Sequence, residues 1–563
     1  MYTKQKLLDR LNKNGNADFM IEILKKIADE EIAKKQERED FTLFKSFVAT
    51  GERNEYEKIY FAKRKRLSAF SIAYAVTDSE KYKEAVENCL FDICTEYTWM
   101  LPAHIRYEQP FDAQDIGIDL FSAETAASIA EVLKLLENEL DERIVFLAKR
   151  ELRRRIIEPY SSGKYTYWYE SWPSNWCAVC MAGVGITFFC EAEKAETDKM
   201  LPRMLKTMDE FLKSYGDDGC CLEGVNYWGF GFGRYVFFAD ALLKYSGGKT
   251  NLFDNPKVHR IALFRQNTFM KNNLGTEFAD CGYNTSGFTK YNLSAYLAKI
   301  YSDAAMPVRA RFEKDKLSDL NCFSEVIRDI MWFDEYGKEE KITPYVFYPD
   351  AAWMIKNTET YSFAAKGGYN DEPHNHNDVG SFMILSDSAR IIAELGSNCY
   401  TRQYFSAERY DYLPASSRGH SVPVINGKLQ HCGEKYNSKV IKAGENIFEI
   451  EFSNAYFAEG LKSLKRKFSL SNDSVRMTDS FVFTCAPEDI AERFVTFEKP
   501  IISKGLVKID NFGIYFSGEN FDASCSAENF EGRLGIKLTA YLLDIKPKKY
   551  EKNIKFECEI KKL

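Results

Sequence analysis

The chain has 563 residues, 45% of them hydrophobic and 28% charged, and a net charge of −7. That length exceeds what a single hydrophobic core serves, so two or three domains are expected, and the composition is that of a folded, globular chain. The acidic balance without a long basic run argues against nucleic acid as a partner. The absence of any run of about 18 apolar residues argues against a membrane span.

The first 335 or so residues read as helix after helix. Apolar residues recur with the 3.6-residue helical period over 17–37, 79–97, 123–139 and 141–157. Further helices are expected near 175–191, 196–215, 231–247, 255–272, 288–302 and 322–334. Many helices of similar length with short connections suggest stacked helical hairpins, as in a complete or incomplete α/α toroid. Cys177 and Cys180 form an isolated CxxC, read as two small apolar residues on a buried helix. The 14 cysteines follow no framework, and Met1 to Asn16 lack the apolar run of a signal peptide. Both features point to a reducing, cytoplasmic location.

The pattern changes near Lys341. Strand-like segments follow at 344–348, 360–366, 381–386, 390–395, 421–426, 438–442, 447–452, 455–458, 465–471, 474–484, 492–497, 506–509, 512–516, 533–543 and 554–560. The expected fold class is therefore α+β and multidomain. Residues 1–340 form a helical toroid domain, and 341–563 form an antiparallel, β-sandwich-like domain. Lys462, Lys465, Arg466 and Lys467 make a short basic cluster, read as the solvated face of a strand.

Four of the six histidines lie between 374 and 431. His374 and His376 are two apart and would share one side of a strand, with Asp378 continuing that side. Imidazole serves either as a metal ligand or as a proton-transfer group. Glu394, on the apolar stretch Ile391–Leu395, is a carboxylate that burial penalises unless it finds a partner. Two histidines and a carboxylate make a reasonable zinc set, and buried histidine–carboxylate hydrogen bonds are the alternative.

The run Gly367-Gly368-Tyr369…His374-Asn375-His376-Asn377-Asp378-Val379-Gly380 resembles the signature of the heparinase II/III-like polysaccharide lyases. Glu394-Leu395-Gly396…Tyr400, His420-Ser421-Val422…Gln430, Trp99…His104, Asn175-Trp176 and Glu223-Gly224-Val225-Asn226-Tyr227-Trp228-Gly229 are similar to further family segments in the same order. The resemblance implies an α/α toroid followed by a β-sandwich-like domain. It also implies β-elimination beside a uronate, with an oligo- or polysaccharide as partner. Carried over by position, Asn175 holds the substrate carboxylate, Tyr227 is the acid and candidate base, and His374 is the base or its partner. Trp176, His104, Glu223, Tyr235 and Asn375 are expected to contact substrate. His376, Glu394 and His420 are expected to bind a divalent metal such as zinc, with His431 as an alternative third ligand. The catalytic cleft is expected between the two domains.

This chain departs from the family pattern in three places. Trp176 stands where relatives have His after the Asn, Phe230 stands where relatives often have a second Tyr, and Glu394 replaces the more usual Asp. A lyase acting in exo fashion on imported fragments is the leading reading. A glycoside hydrolase using Glu170 and Glu223, and a non-catalytic glycan-binding protein, are the alternatives.

Overall fold

The structure, a computed structural model, describes residues 1–13, 17–106, 117–283, 290–305, 320–333 and 342–563. It divides into two compact units. The first comprises Met1–Ser214, Gly229–Ala262 and the described parts of Lys290–Glu340. The second comprises Tyr215–Trp228 and the described parts of Leu263–Thr289 and Lys341–Leu563. Two short segments from the first 340 residues thus belong to the sheet-bearing unit, and one of them carries Tyr227.

The first unit is helical among its described residues. Helix Asn175–Glu191 matches the expected span, and all but Trp176 and Glu191 are buried. It packs against Leu120–Leu136, Lys194–Leu212 and Gly233–Tyr245. The 24-residue helix Asn54–Thr77 was not expected, because burial extends around most of its circumference and erases the one-sided apolar stripe. Two of its buried cations, Lys63 and Arg64, are paired with Glu96: Arg64 donates to both of its oxygens, at 2.7 and 2.6 Å. The CxxC cysteines are buried and unbridged on their helix. No helix among the described residues is long and apolar enough to cross a membrane.

The second unit carries the antiparallel sheets. One has five strands in the order Tyr345–Tyr348, Trp353–Asn357, Ser362–Lys366, Phe382–Leu385 and Arg390–Ile392. Another has eight, running from Ile501–Ser503 at one edge to Lys439–Gly444 at the other. A third has four: Phe521–Glu531, Lys537–Pro547, Ile490–Thr496 and Val424–Ile425. Their apolar faces share one core. Phe468 of the eight-stranded sheet lies 4.9 Å from both Phe363 and Phe382 of the five-stranded sheet. Phe494 of the four-stranded sheet touches Phe382 at 6.0 Å and Phe556 at 6.2 Å. The expected strand at 455–458 is absent: Ser453–Ala455 forms a helical turn, and Tyr456 makes a single bridge to Gln430.

Strand Leu461–Leu470 alternates, with Leu464, Arg466, Phe468 and Leu470 buried and Lys465 and Lys467 exposed. The outer face fits the solvated reading, but Arg466 points inward. Its guanidinium donates to Asp479 at 2.6 and 3.0 Å and to Glu492 at 3.2 Å. It also donates to the carbonyls of Gly380 and Ser421, at 2.8 and 2.7 Å. One buried cation therefore ties the end of the His374–Asp378 loop to the turn that carries His420.

Candidate active site

The second unit brings Tyr227, His374, His376, Glu223, Glu394 and His420 together around a residue the sequence reading did not single out, Asp280. Asp280 follows a segment squeezed between two glycines. A Cβ on Gly224 would come within 2.5 Å of the Cys281 sulfur and 2.7 Å of the Phe278 carbonyl, and Gly224 has φ +91°. A Cβ on Gly396 would stand 2.7 Å from the Cys281 carbonyl, at φ +72°. The Ser397 N–H donates to that same carbonyl at 2.9 Å. The glycines of the Glu-Gly and Leu-Gly pairs thus let the backbone carrying Asp280 pass between their loops.

The Asp280 side chain is fully buried and accepts five hydrogen bonds. Oδ2 accepts from His374 Nδ1 at 2.8 Å and the Tyr400 hydroxyl at 3.1 Å. Oδ1 accepts from His376 Nε2 at 3.0 Å, the Tyr404 hydroxyl at 2.7 Å and Arg409 at 2.9 Å. Burial alone would raise its pKa. Hydrogen bonds from His374 and His376 and the charge of Arg409 outweigh burial and hold the carboxyl well below the usual range. Asp280 is therefore an anion, and both histidines face it as N–H donors. That leaves His374 Nε2 and His376 Nδ1 with the lone pairs.

His374 is the more exposed of the two, at 20% against 1% for His376. Its φ of +56° lies in the left-handed region, a strained choice for a residue with a Cβ. Its Nε2 faces Glu223 Oε2 at 3.4 Å. The Tyr227 ring lies against it with centroids 4.1 Å apart. Because Tyr400 spends its proton on Asp280, the 2.9 Å contact between the Tyr227 and Tyr400 hydroxyls has Tyr227 as donor. Burial raises the Tyr227 pKa above the ordinary tyrosine value, with Arg533 opposing. Tyr227 thus holds its proton at neutral pH.

Behind this pair, the His376 and His420 ring centroids are 5.3 Å apart. His376, Asp378 and His420 place ligand atoms within 4.8 Å of one another, all three buried. Asp378 Oδ1 accepts from Lys366 at 2.8 Å, while Oδ2 is buried without a hydrogen-bond partner among the described residues. His420 Nε2 donates to the Pro414 carbonyl at 2.8 Å, and its Nδ1 meets Glu394 Oε2 at 2.6 Å. Glu394 Oε1 accepts from Ser381. Burial opposes charge on His420, but Glu394 and then Asp378 outweigh it and raise its pKa. Burial lowers the His376 pKa despite Asp280, so this ring is neutral.

These donors suit a divalent cation. His376 and His420 each have one nitrogen bonded outside the cluster, to Asp280 and to the Pro414 carbonyl, and with Asp378 they would hold a cation. The orphaned Asp378 oxygen offers a further donor beyond the expected His376, Glu394 and His420. His431 is exposed and stacks on Tyr436 at 5.4 Å, so the structure removes it as a ligand. We expect elemental analysis of protein purified without chelator to find about one zinc per chain, and His376→Ala to lose it. Metal-free wild-type protein would leave these groups a purely hydrogen-bonded cluster.

The remaining expected residues sit as follows. Asn375 is buried, with its Nδ2 3.2 Å from Asn377 Oδ1 and its carbonyl bonded to Arg409 at 2.9 Å. It therefore shapes the loop rather than presenting its amide outward. In the first unit Asn175 is the first residue of its helix, and Ser174, at the cap position, makes no side-chain capping bond. Trp176 joins an aromatic group with His104 at 5.0 Å and Trp168 at 5.1 Å. His104 Nδ1 is bonded to Asp119 at 2.7 Å. Tyr235, expected at the substrate, is instead 2% exposed and packed by Phe211 and Phe232, which makes it a core residue.

No protein-family model matches the chain, and no curated protein matches it in sequence. Solved structures do match. Heparan sulfate lyase HepC from Pedobacter heparinus is 12% identical with a TM-score of 0.62, over 100% of this chain and 93% of that one. Heparinase III is 14% identical with a TM-score of 0.63, over 89% and 77%. Chondroitin AC lyase from Streptomyces coelicolor A3 is 10% identical with a TM-score of 0.58, over 99% and 82%. This chain has the heparinase III fold. The resemblance read from the His374–Asp378 run is borne out at that level, with helices first and antiparallel sheets second. Within the heparinase III fold, the Asp280 cluster is built wholly by the sheet-bearing unit.

Proposed function

We propose that the protein is a polysaccharide lyase that cleaves a uronate-containing glycan by β-elimination and leaves a C4–C5 unsaturated uronate. The observation that carries this reading is the His374–Tyr227 pair, with ring centroids 4.1 Å apart, held on the Asp280 carboxylate in a chain of heparinase III fold. Solved structures of the same fold are named as lyases of heparan sulfate and of chondroitin. The helical unit is read as an incomplete α/α toroid and the sheets as a β-sandwich-like domain.

His374 keeps its Nδ1 proton on Asp280, and Nε2 removes the C5 proton. The C5–H electron pair becomes the C4–C5 double bond, and the C4–O bond breaks. The Tyr227 hydroxyl turns from Tyr400 and protonates the leaving oxygen. The raised pKa of Tyr227 favours the acid role over the base role. Glu223, beside Nε2, stabilises the imidazolium that forms. Asn175, with Trp176 and His104 near it in sequence or packing, is assigned to the substrate by the family resemblance. A divalent cation, with zinc favoured by the nitrogen donors, would be held by His376, Asp378 and His420, with Glu394 beside His420, and would cross-link the segments that carry the base. The hydrolase alternative weakens because Arg203 grips both oxygens of Glu170 at 2.7 Å.

The test is a panel of hyaluronan, chondroitin, heparan, alginate and gellan oligomers, followed by the ultraviolet absorbance of the unsaturated product. Tyr227→Phe is expected to lower turnover by about 10²–10⁴-fold while substrate binding persists. New reducing ends without that absorbance would mean hydrolysis. Binding without either signal would mean a non-catalytic protein.

A further inference from the structure

Arg533 lies in the turn Arg533–Gly535 that joins strands Phe521–Glu531 and Lys537–Pro547. The turn is pinned beside the cluster. The Arg533 N–H donates to the Ser397 carbonyl at 3.0 Å, and Gly532 bridges to Asn398. Its guanidinium carbon stands 4.8 Å from the Tyr400 ring centroid and 6.0 Å from that of Tyr227. Among the described residues, no carboxylate, carbonyl or hydroxyl bonds this guanidinium. The other arginine of the cluster, Arg409, is committed to Asp280 and to the carbonyls of Asn375 and Tyr404.

A guanidinium has five N–H donors in a planar fork that matches a carboxylate with two parallel bonds. Withdrawing it partly from water with no acceptor is unfavourable, and tyrosine faces satisfy its charge without satisfying its donors. An anionic group entering beside Tyr227 would meet a cation that is already positioned. Elimination at a uronate is favoured by such a cation beside any neutral donor, because the C5 proton is acidified when the neighbouring C6 carboxylate is neutralised. C6 is bonded to C5, and the leaving oxygen is on C4 of the same ring. The group that binds C6 must therefore lie within one sugar ring of both His374 and Tyr227. Trp176, directly after Asn175, has no charge to offer that carboxylate.

We propose that Arg533 binds and neutralises the C6 carboxylate of the uronate whose C5 proton His374 removes. This inference rests on the lyase reading. A sulfate ester on the sugar presents the same anionic chemistry, and the experiment separates the two sources.

Wild-type protein, Arg533→Gln and Arg533→Lys are compared on an unsulfated uronate oligosaccharide, on its carboxyl methyl ester and on a sulfated counterpart. Formation of the unsaturated product is the readout, with melting temperatures to confirm folding. Arg533→Gln is expected to lower kcat/KM on the unsulfated free acid by about 10²-fold or more and to change the methyl ester by less than about threefold. Arg533→Lys, which keeps the charge but not the fork, should recover part of the loss. Equal losses on acid and ester would mean that Arg533 acts only on the tyrosines, and would overturn the proposal. A loss confined to the sulfated substrate would overturn the carboxylate assignment. A wild-type protein that yields no unsaturated product from any of the three would overturn the lyase reading and this inference with it. Full activity of Arg533→Gln on the free acid would overturn this inference alone.

Discussion

Asp280→Asn is expected to lower turnover by about 10³–10⁴-fold, the scale seen when the carboxylate that orients a catalytic histidine becomes an amide. The carboxylate does two things that an amide does not. It accepts the His374 Nδ1 proton, leaving Nε2 as the base, and it stabilises the imidazolium that follows proton abstraction. An amide can present its NH₂ to His374 and so select the opposite tautomer, with the proton on Nε2. The substitution also leaves Arg409, Tyr400, Tyr404 and His376 sharing a neutral partner in a fully buried site. A lower melting temperature should accompany the kinetic loss, so turnover is measured where circular dichroism shows the variant folded. Activity within tenfold of wild type would remove Asp280 from the orientation of the base.

Arg466→Met is expected to destabilise the sheet-bearing unit by about 3–5 kcal/mol, read as a lower urea midpoint. Arg466 and Asp479 are both 0% exposed, so removing the cation strands a charge where water cannot reach it. Burial, reinforced by Asp479 and only partly opposed by Arg466, raises the Glu492 pKa well above the usual value. That buried cluster is then one cation, one carboxylate and one neutral carboxyl. The sign follows from linkage. A carboxyl whose folded pKa is raised adds stability below its unfolded pKa of about 4.3, and that contribution is lost as pH rises through the folded value. Glu492→Gln should remove this part of the decline in stability with pH and leave Arg466 paired with Asp479. A midpoint unchanged in Arg466→Met would show that the core accommodates the bare Asp479 carboxylate.

The sequence makes the order of helices and strands legible because each half has a single dominant period. Asn175–Glu191 is found from its apolar length, and Ser474–Phe483 from its alternation. Asn54–Thr77 escapes because burial on nearly all sides leaves no polar face to set the period. The histidine cluster is legible because His374, His376 and Asp378 are adjacent in the chain. Asp280 is not, since its partners lie in other segments. The available signal was a lone acid between Phe278-Ala279 and Cys281, where an apolar setting demands a partner. Arg533 has no sequence signal beyond its turn, since its significance comes from the tyrosines it faces. Tyr235 misleads for the converse reason: an aromatic near a motif looks the same whether it faces substrate or a core.

The five hydrogen bonds to Asp280 span 94, 96, 120, 124 and 129 residues of chain. Each closes a long loop, and loop closure is an entropy that must be met before the contact returns anything. On a growing chain, Tyr227 and Asp280 emerge well before the residues that satisfy them. Until Arg409 has been made and docked, the Asp280 carboxylate remains a solvated charge at the edge of an unfinished sheet domain. The base and the acid then come into register as one of the last events of folding. The active site is thus a late reporter of correct assembly, and recovery of activity should trail recovery of sheet structure during refolding.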